Sequence, residues 1–552
     1  MGTHSKKSKQ SDTDYVILAD KGMFRGLNPN MALFSKGLIL AFVIFTLYDV
    51  DFAAGVFQST QNWIQETLDW FYVISMCVFV GFVLWLMCSR FGHIRLGKDN
   101  DRPEFSYFSW FSMLFGAGMG IGLLFWSIAE PAYHIQNSPF LADGTANTMA
   151  GANTAMQTTF LHWGLHGWAV YVIVGLSLAY FAYRHDLPLT IRSALYPLFG
   201  DKIFGWRGHI ADLLAVFGTL FGVATTLGLG AGQINAGLNY MFDVPVGTVP
   251  QVIIIAVVSV IATLSAVSGV GRGIKILSEV NMWLSIVLIT IFLFAGPTVF
   301  LLGFFVTNLG DYLINVIPMG FWVDPDPEGQ WQGWWTVFYW GWWIAWAPFV
   351  GMFIARVSKG RTIREFCLGV LLVPTLVTFL WMSIFGGTGM FMELFADGGF
   401  GTGGVIAAVN EDISKPLFVV IENLDLGILT QFVAFISVIL IITYFVTSSD
   451  SGTLVITTMV SMGSETPPTG YRIFWGLGEG AVAAALLLAG GLKALQTASL
   501  AAGLPFAFII FLMMLSLIRA LKNDIDGGHV KDVAPEEHTD RTDHYISILN
   551  NR

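Results

Sequence analysis

Residues 338–349, FYWGWWIAWAPF, place four tryptophans and a tyrosine within the eight positions from Tyr339 to Trp346. A second group, Trp163, Trp168 and Tyr171, lies in LHWGLHGWAVYVIVG, and Trp126 belongs to a third segment. Such rings offer negative π-faces, and a desolvated cation gains about 2 kcal/mol from each well-placed face. A quaternary ammonium group suits them, because it has no N–H to donate and gains less from carboxylates than from rings. On a helix at about 100° per residue, Trp163, Tyr171 and Trp168 fall at roughly 0°, 80° and 140°, a curved wall. Trp343 and Trp346 are i,i+3 neighbours, and Trp342 and Trp346 are i,i+4 neighbours. Packing is the competing explanation, together with a belt at the membrane interface. That belt is the expected role of Trp63, Trp70, Trp331, Trp334 and Trp335, whereas the two clusters sit one to two turns deeper in their spans.

Two further stretches carry chemistry. FGAGMGIGLLFW, 115–126, holds Gly116, Gly118, Gly120 and Gly122. Each glycine costs a water-exposed helix about 1 kcal/mol relative to alanine. Their uses in a membrane are close helix packing or local unwinding, which frees backbone at Gly118, Met119 and Gly120 to contact a solute. Pro131 adds a break or ends the span. FVTSSDSG places Thr447, Ser448, Ser449 and Ser451 beside Asp450. These hydroxyls either bond back to their own helix or supply hard oxygens to Na⁺ together with carbonyls from the unwound glycine run. His162 and His166, spaced i,i+4, read as packing histidines.

These groups need a membrane scaffold. The chain has 552 residues, of which 55% are hydrophobic and 12% charged, about half the charge of a soluble domain. Apolar runs long enough to cross a bilayer recur from near 31 to near 520. They predict an all-α polytopic protein with 12 transmembrane helices. With the N-terminus in the cytoplasm, every Lys and Arg except Lys415 and Lys493 falls on an inner segment, as the positive-inside rule requires. Both termini are therefore expected in the cytoplasm. The first 30 residues are polar, and Lys6, Lys7 and Lys9 lack an adjacent apolar run, so the first span is expected to be retained rather than cleaved. Cys77, Cys88 and Cys367 have no metal-like spacing. The net charge of −10, without basic tracts, disfavours a nucleic-acid partner.

The expected organisation is a tail (1–31), two helices with a loop (32–106), one five-helix unit (107–305), an outer interfacial segment (306–333), a second five-helix unit (334–520) and a tail (521–552). Span three, with its glycines, and span eight, with Pro348, lie five spans apart and face the membrane in opposite senses. An inverted repeat predicts that arrangement, with the binding site where the two irregular helices meet. A membrane enzyme is disfavoured by the absence of a Gly-x-Ser-x-Gly elbow, a phosphate-binding loop and His/Cys metal spacing. A channel or receptor is disfavoured by the lack of a filter-like repeat and of a soluble sensor domain.

AGMGIGLLFWSIAEPAYH, FYWGWWIAWAPFVGMFIARVSKGRTIREF and YFVTSSDSG, with RLGKDNDRPEF ahead of span three, resemble the betaine/carnitine/choline transporter family. The resemblance implies the inverted-repeat (LeuT-like) fold of sodium-coupled amino-acid transporters, two additional N-terminal helices, a homotrimer and a place in the cell inner membrane among lipid. It implies an aromatic box from Trp163, Trp168, Tyr171, Trp342, Trp343 and Trp346, with Gly118, Met119 and Gly120 at the substrate. It also implies a Na⁺ site at the carbonyls of Gly116, Met119 and Tyr444 and the hydroxyls of Thr447 and Ser448; Thr225 and Thr226 are candidates for a second. Gly122 stands where the family's proton-coupled choline carriers have aspartate, which favours Na⁺, and Asn281 is neutral where sodium-independent exchangers carry a cation. The implied activity is Na⁺ symport of an onium solute, glycine betaine first, with dimethylsulfoniopropionate, carnitine, choline or ectoine, or proton-coupled choline carriage, as alternatives. No cofactor is implied beyond Na⁺ as the coupling ion. The short tail, with APEEHTDRTDH, departs from the long basic helix of osmosensing members and predicts weak osmotic activation.

Overall fold

The computed structural model describes residues 18–528, apart from 20, 119, 269–272, 327 and 465. Among the described residues every named element is a helix. Asn28 caps α1 (Pro29–Tyr48), its side chain accepting from the Met31 N–H, and a proline occupies the first helical position. Next come α2 (Val50–Cys88), α3 (Tyr107–Gly118), α4 (Ile121–His134), α5 (Met149–Trp163) and α6 (Leu165–Ala179). A short α7 (Tyr196–Phe199) precedes α8 (Trp206–Phe242), α9 (Thr248–Ser268), α10 (Gly273–Ala295), α11 (Thr298–Gly320) and α12 (Phe338–Val357). The chain continues through α13 (Ile363–Leu394), α14 (Val405–Glu411), α15 (Pro416–Asn423), α16 (Leu429–Val460) and α17 (Thr469–Ile525).

Eleven helical stretches among the described residues are long and apolar enough to cross a membrane by length and composition. The third expected span is not among them: its described residues form two short pieces, α3 ending at Gly118 and α4 beginning at Ile121. Conversely, α17 contains two rods joined at Gly490 and Gly491; Gly491 has φ 60°, a left-handed conformation that glycine adopts freely.

Three sequence expectations need correction. The helix expected to run to 305 stops at Ala295, and α11 starts afresh at Thr298 after Gly296–Pro297. The expected interfacial segment from 306 is thus part of this separate 23-residue helix, which ends at Gly320. Span eight does not break at Pro348: α12 runs through it, and the irregularity is a π-helical turn at Gly333–Val337 just before. Pro348 lacks only the donor to the Ile344 carbonyl, a loss that membrane helices tolerate when neighbours satisfy the backbone. Span four, expected to be continuous, breaks at Gly164 (φ −100°, ψ −136°), where a Cβ would meet the Phe160 carbonyl and the Phe379 ring, each at 2.6 Å.

Burial separates core from periphery. In α12, 94% of the apolar window is buried, against 28% in α1 and 22% in α10. α12 packs on α6, α8 and α17, and α4 packs on α5, α8 and α13. Exposed Leu38, Leu40 and Ile44 on α1, and Ile253, Val257 and Ile261 on α9, form the apolar surface that a hydrocarbon layer solvates. Beyond the spans, Arg184 binds Asp524 at 2.6 Å and Asp99 at 2.8 Å, tying the end of the fourth span to the end of α17. Its guanidinium hydrogen bond holds the Asp99 carboxyl below the usual carboxylate range.

Candidate functional site

The deep aromatic residues converge. A small cavity is lined by Gly120, Gly122, Leu123, Trp163, Tyr171, Trp342, Trp343 and Trp346. No lining residue carries a charge. The rings meet edge-on or tilted: Trp163 lies 5.7 Å from Trp343 and 6.2 Å from Trp342, Tyr171 lies 5.2 Å from Trp343, and Trp342 lies 6.1 Å from Trp346, centroid to centroid. All five rings are buried. Such tilted contacts suit ring quadrupoles.

Each of the three cavity-lining tryptophans of α12 rests in a glycine notch on a facing helix. A Cβ on Gly122 would stand 2.6 Å from Trp342 Cη2, one on Gly167 2.5 Å from Trp343 Cε2, and one on Gly222 2.5 Å from Trp346 Cδ1. Bulky indoles can approach the neighbouring backbones because those neighbours have no side chain. Gly167 and Gly222 went unread in the sequence; the i,i+4 pair Gly218 and Gly222 on α8 was the available signal.

Trp168 is not among the lining residues. It is fully buried behind them, 5.5 Å from Tyr171 and 6.2 Å from Trp343. Gly118 ends α3, Gly120 borders the cavity, and Met119 lies outside the described residues. Trp335, expected at the interface with Trp63 and Trp70, is buried instead, 4.5 Å from His134 and 5.4 Å from Trp126. Trp63 and Trp70 are exposed.

A second cluster lies behind Trp163. Glu130 Oε2 accepts from Trp163 Nε1 at 2.7 Å and from the Tyr339 hydroxyl at 2.5 Å; Oε1 lies 2.6 Å from His162 Nδ1 and 3.4 Å from His134 Nε2. His162 Nε2 lies 3.0 Å from Thr336 Oγ1. His162 therefore belongs to a polar network rather than to simple packing, while His166 stacks on Trp340 at 5.2 Å. Glu130, His134 and His162 bring one ligand atom each to within 4.8 Å of one another. Two ligands of a tetrahedral ion with bonds of about 2.05 Å lie about 3.3 Å apart, so the Glu130–His162 contact is a hydrogen bond. Glu130 was missed in the sequence, although a carboxylate inside an apolar span is itself a signal, strengthened by histidine at i+4 in EPAYH.

The hydroxyl run on α16 divides. Ser449 donates to Glu479 Oε2 at 2.9 Å, and Asp450 Oδ2 accepts from Ser265 at 2.7 Å. Thr447 Oγ1 donates to the Thr443 and Tyr444 carbonyls at 3.0 and 3.1 Å and accepts from Asn281 Nδ2 at 3.1 Å. Ser448 Oγ faces the interrupted span, 3.6 Å from where a Cβ of Gly120 would stand. The Tyr444 hydroxyl pairs with Ser285 at 2.8 Å. Asn281 Oδ1 is buried without a hydrogen-bond partner. Gly116 lies in α3. Thr225 donates to the Phe221 and Leu495 carbonyls, and Thr226 to that of Gly222.

The model of the betaine/carnitine/choline transporter family matches residues 30–526. The chain belongs to that family. It is accordingly a transporter, not an enzyme, and an integral membrane protein. It is 43% identical to a probable glycine betaine transporter of Desulfitobacterium hafniense (strain Y51), covering 89% of this chain and 97% of that protein. It is 45% identical to the glycine betaine transporter OpuD of Bacillus subtilis (strain 168), covering 88% and 92%. It is 41% identical to the high-affinity choline transport protein of Escherichia coli (strain K12), covering 90% and 72%.

Proposed function

We propose that this family member imports glycine betaine by Na⁺ symport through alternating access, across the cell inner membrane, as a homotrimer with both termini cytoplasmic. The observation that carries the reading is a cavity walled by four indoles and a phenol with no charged side chain. A trimethylammonium group can be held there by ring faces alone. A zwitterion is favoured over choline because Trp346 contributes a buried indole N–H with no hydrogen-bond partner, a donor available to a carboxylate. The named activities of the relatives agree with either head group.

The coupling ion rests on hard oxygens. Thr447, Ser448 and the Tyr444 carbonyl, with the unpartnered Asn281 oxygen nearby, form a neutral donor set suited to Na⁺. Gly116 and Met119 carbonyls of the interrupted span would complete it. Solute and ion bound on either side of that interruption favour closure together, because each pays part of its ordering cost. The inverted repeat of 107–305 and 334–520 would supply the rocking that exposes the site inward.

Purified protein in liposomes, given labelled betaine and an inward Na⁺ gradient, should accumulate it above equilibrium. Uptake that persists when K⁺ replaces Na⁺ would rule out sodium coupling. Choline, carnitine, dimethylsulfoniopropionate and ectoine as competitors rank the alternatives, and stronger competition by choline than by unlabelled betaine would overturn the zwitterion assignment.

A further inference from the structure

The four tryptophans of the cavity wall are not equivalent. Trp342 and Trp343 donate to the backbone carbonyls of Gly222 and His162, at 3.4 and 2.9 Å, and the Trp346 N–H has no partner. Trp163 alone of these donates to a carboxylate, Glu130, at 2.7 Å. Its indole spans from that carboxylate to the cavity: the N–H edge meets Glu130, and Cη2 lies 3.2 Å from where a Cβ of Gly122 would stand. Glu130 is fully buried, and the nitrogens of His162 and His134 lie 2.6 and 3.4 Å from its other oxygen, opposite the one that Trp163 binds.

A charge-assisted hydrogen bond is roughly twice as strong as a neutral one, and it pushes electron density from the N–H into the ring. The π-face becomes more negative, and the attraction of a carboxylate for a cation beyond the ring is weakly screened in so apolar a site. We infer that Glu130 sets the cavity's selectivity for charge: acting through Trp163, it strengthens binding of a cationic head group and leaves a neutral head group of the same shape unaffected. Glu130 does not line the cavity, so it is a specificity-determining residue behind the wall rather than a ligand. The inference rests on the onium reading of the cavity.

A purely structural role, holding Trp163 in place, predicts something different, and a neutral isostere separates the two. Glycine betaine and 3,3-dimethylbutanoate share shape and carboxylate and differ in a cationic nitrogen against a carbon. Both are titrated calorimetrically, at saturating Na⁺, into the purified full chain and into Glu130→Gln, which keeps an acceptor oxygen and removes the charge. The wild type should prefer betaine; Glu130→Gln should weaken betaine roughly tenfold and change the isostere by less than about twofold. Equal losses for both ligands, or an unchanged preference, would overturn the inference. Trp163→Phe gives the same test should Glu130→Gln fail to fold, since it keeps a ring and cuts the link to the carboxylate. Contraction of the preference supports the inference, and an unchanged preference overturns it. A wild type that binds both ligands alike would overturn the onium reading and this inference with it.

Discussion

The aromatic cavity and the hydroxyl run on α16 are both proposed to hold a cation, and they are built in opposite ways. The cavity draws its wall from α4, α5, α6 and α12, and each of the three α12 indoles that line it is seated in a glycine notch. Its geometry is set by packing before any solute arrives. The Tyr444 carbonyl and the Thr447 and Ser448 hydroxyls come from one helix, and Thr447 already bonds to the Thr443 and Tyr444 carbonyls of that helix. An ion must share those oxygens with the helix. A preorganised wall concentrates binding energy in individual rings, whereas a hydroxyl site spreads it over several weak donors. Substitutions in the wall should therefore cost more than substitutions on α16.

Trp343→Ala should break the comparison most visibly. It removes the ring that touches Trp163, Trp168 and Tyr171, and betaine affinity should fall by about 30-fold or more, worth about 2 kcal/mol of cation–π attraction. Calorimetric titration reads this, and a dissociation constant within threefold of wild type would discredit the wall. Thr447→Ala combined with Ser448→Ala should raise the Na⁺ concentration for half-maximal uptake by roughly tenfold, the scale of losing two weak hydroxyl ligands. If that concentration stays put, the ion does not use these oxygens.

Gly222→Ala should displace Trp346, because the new methyl would stand 2.5 Å from Cδ1. Overpacking costs about 1–3 kcal/mol, shared between stability and binding. A lowered melting temperature with weaker betaine binding is expected, and an unperturbed thermal profile would contradict the notch. Trp168→Phe should do least. Its ring backs the wall without lining it, so the loss should stay within about threefold, the scale of a volume-reducing aromatic swap. A loss as large as that for Trp343→Ala would place Trp168 in direct contact with solute.

Much of this was legible locally. The length and spacing of apolar runs, and the confinement of Lys and Arg to alternate loops, implied a polytopic helical protein, and the concentration of tryptophan at 340–346 marked the wall. Trp163 and Trp168 show where legibility stopped. On an unbroken helix both belong to one curved wall, but the break at Gly164 resets the phase between them, and only Trp163 reaches the cavity. Glu130 was overlooked because its partners, Trp163, His162 and Tyr339, are distant in sequence. Trp335 was misjudged because its position near a span end matched a belt residue, while its ring is buried against His134 and Trp126, residues of a helix that local sequence does not place beside it.

The sequence by itself determined the solvent this protein lives in and the chemistry of its best candidate site. Hydropathy, loop charge and ring type are properties of single segments, and a bilayer acts on each segment separately. Only the tertiary structure decided which rings face the cavity, which glycines make room for them and which carboxylate stands behind Trp163. Those outcomes depend on the phase of helices after a break and on contacts between spans far apart in the chain, neither of which is encoded in local periodicity.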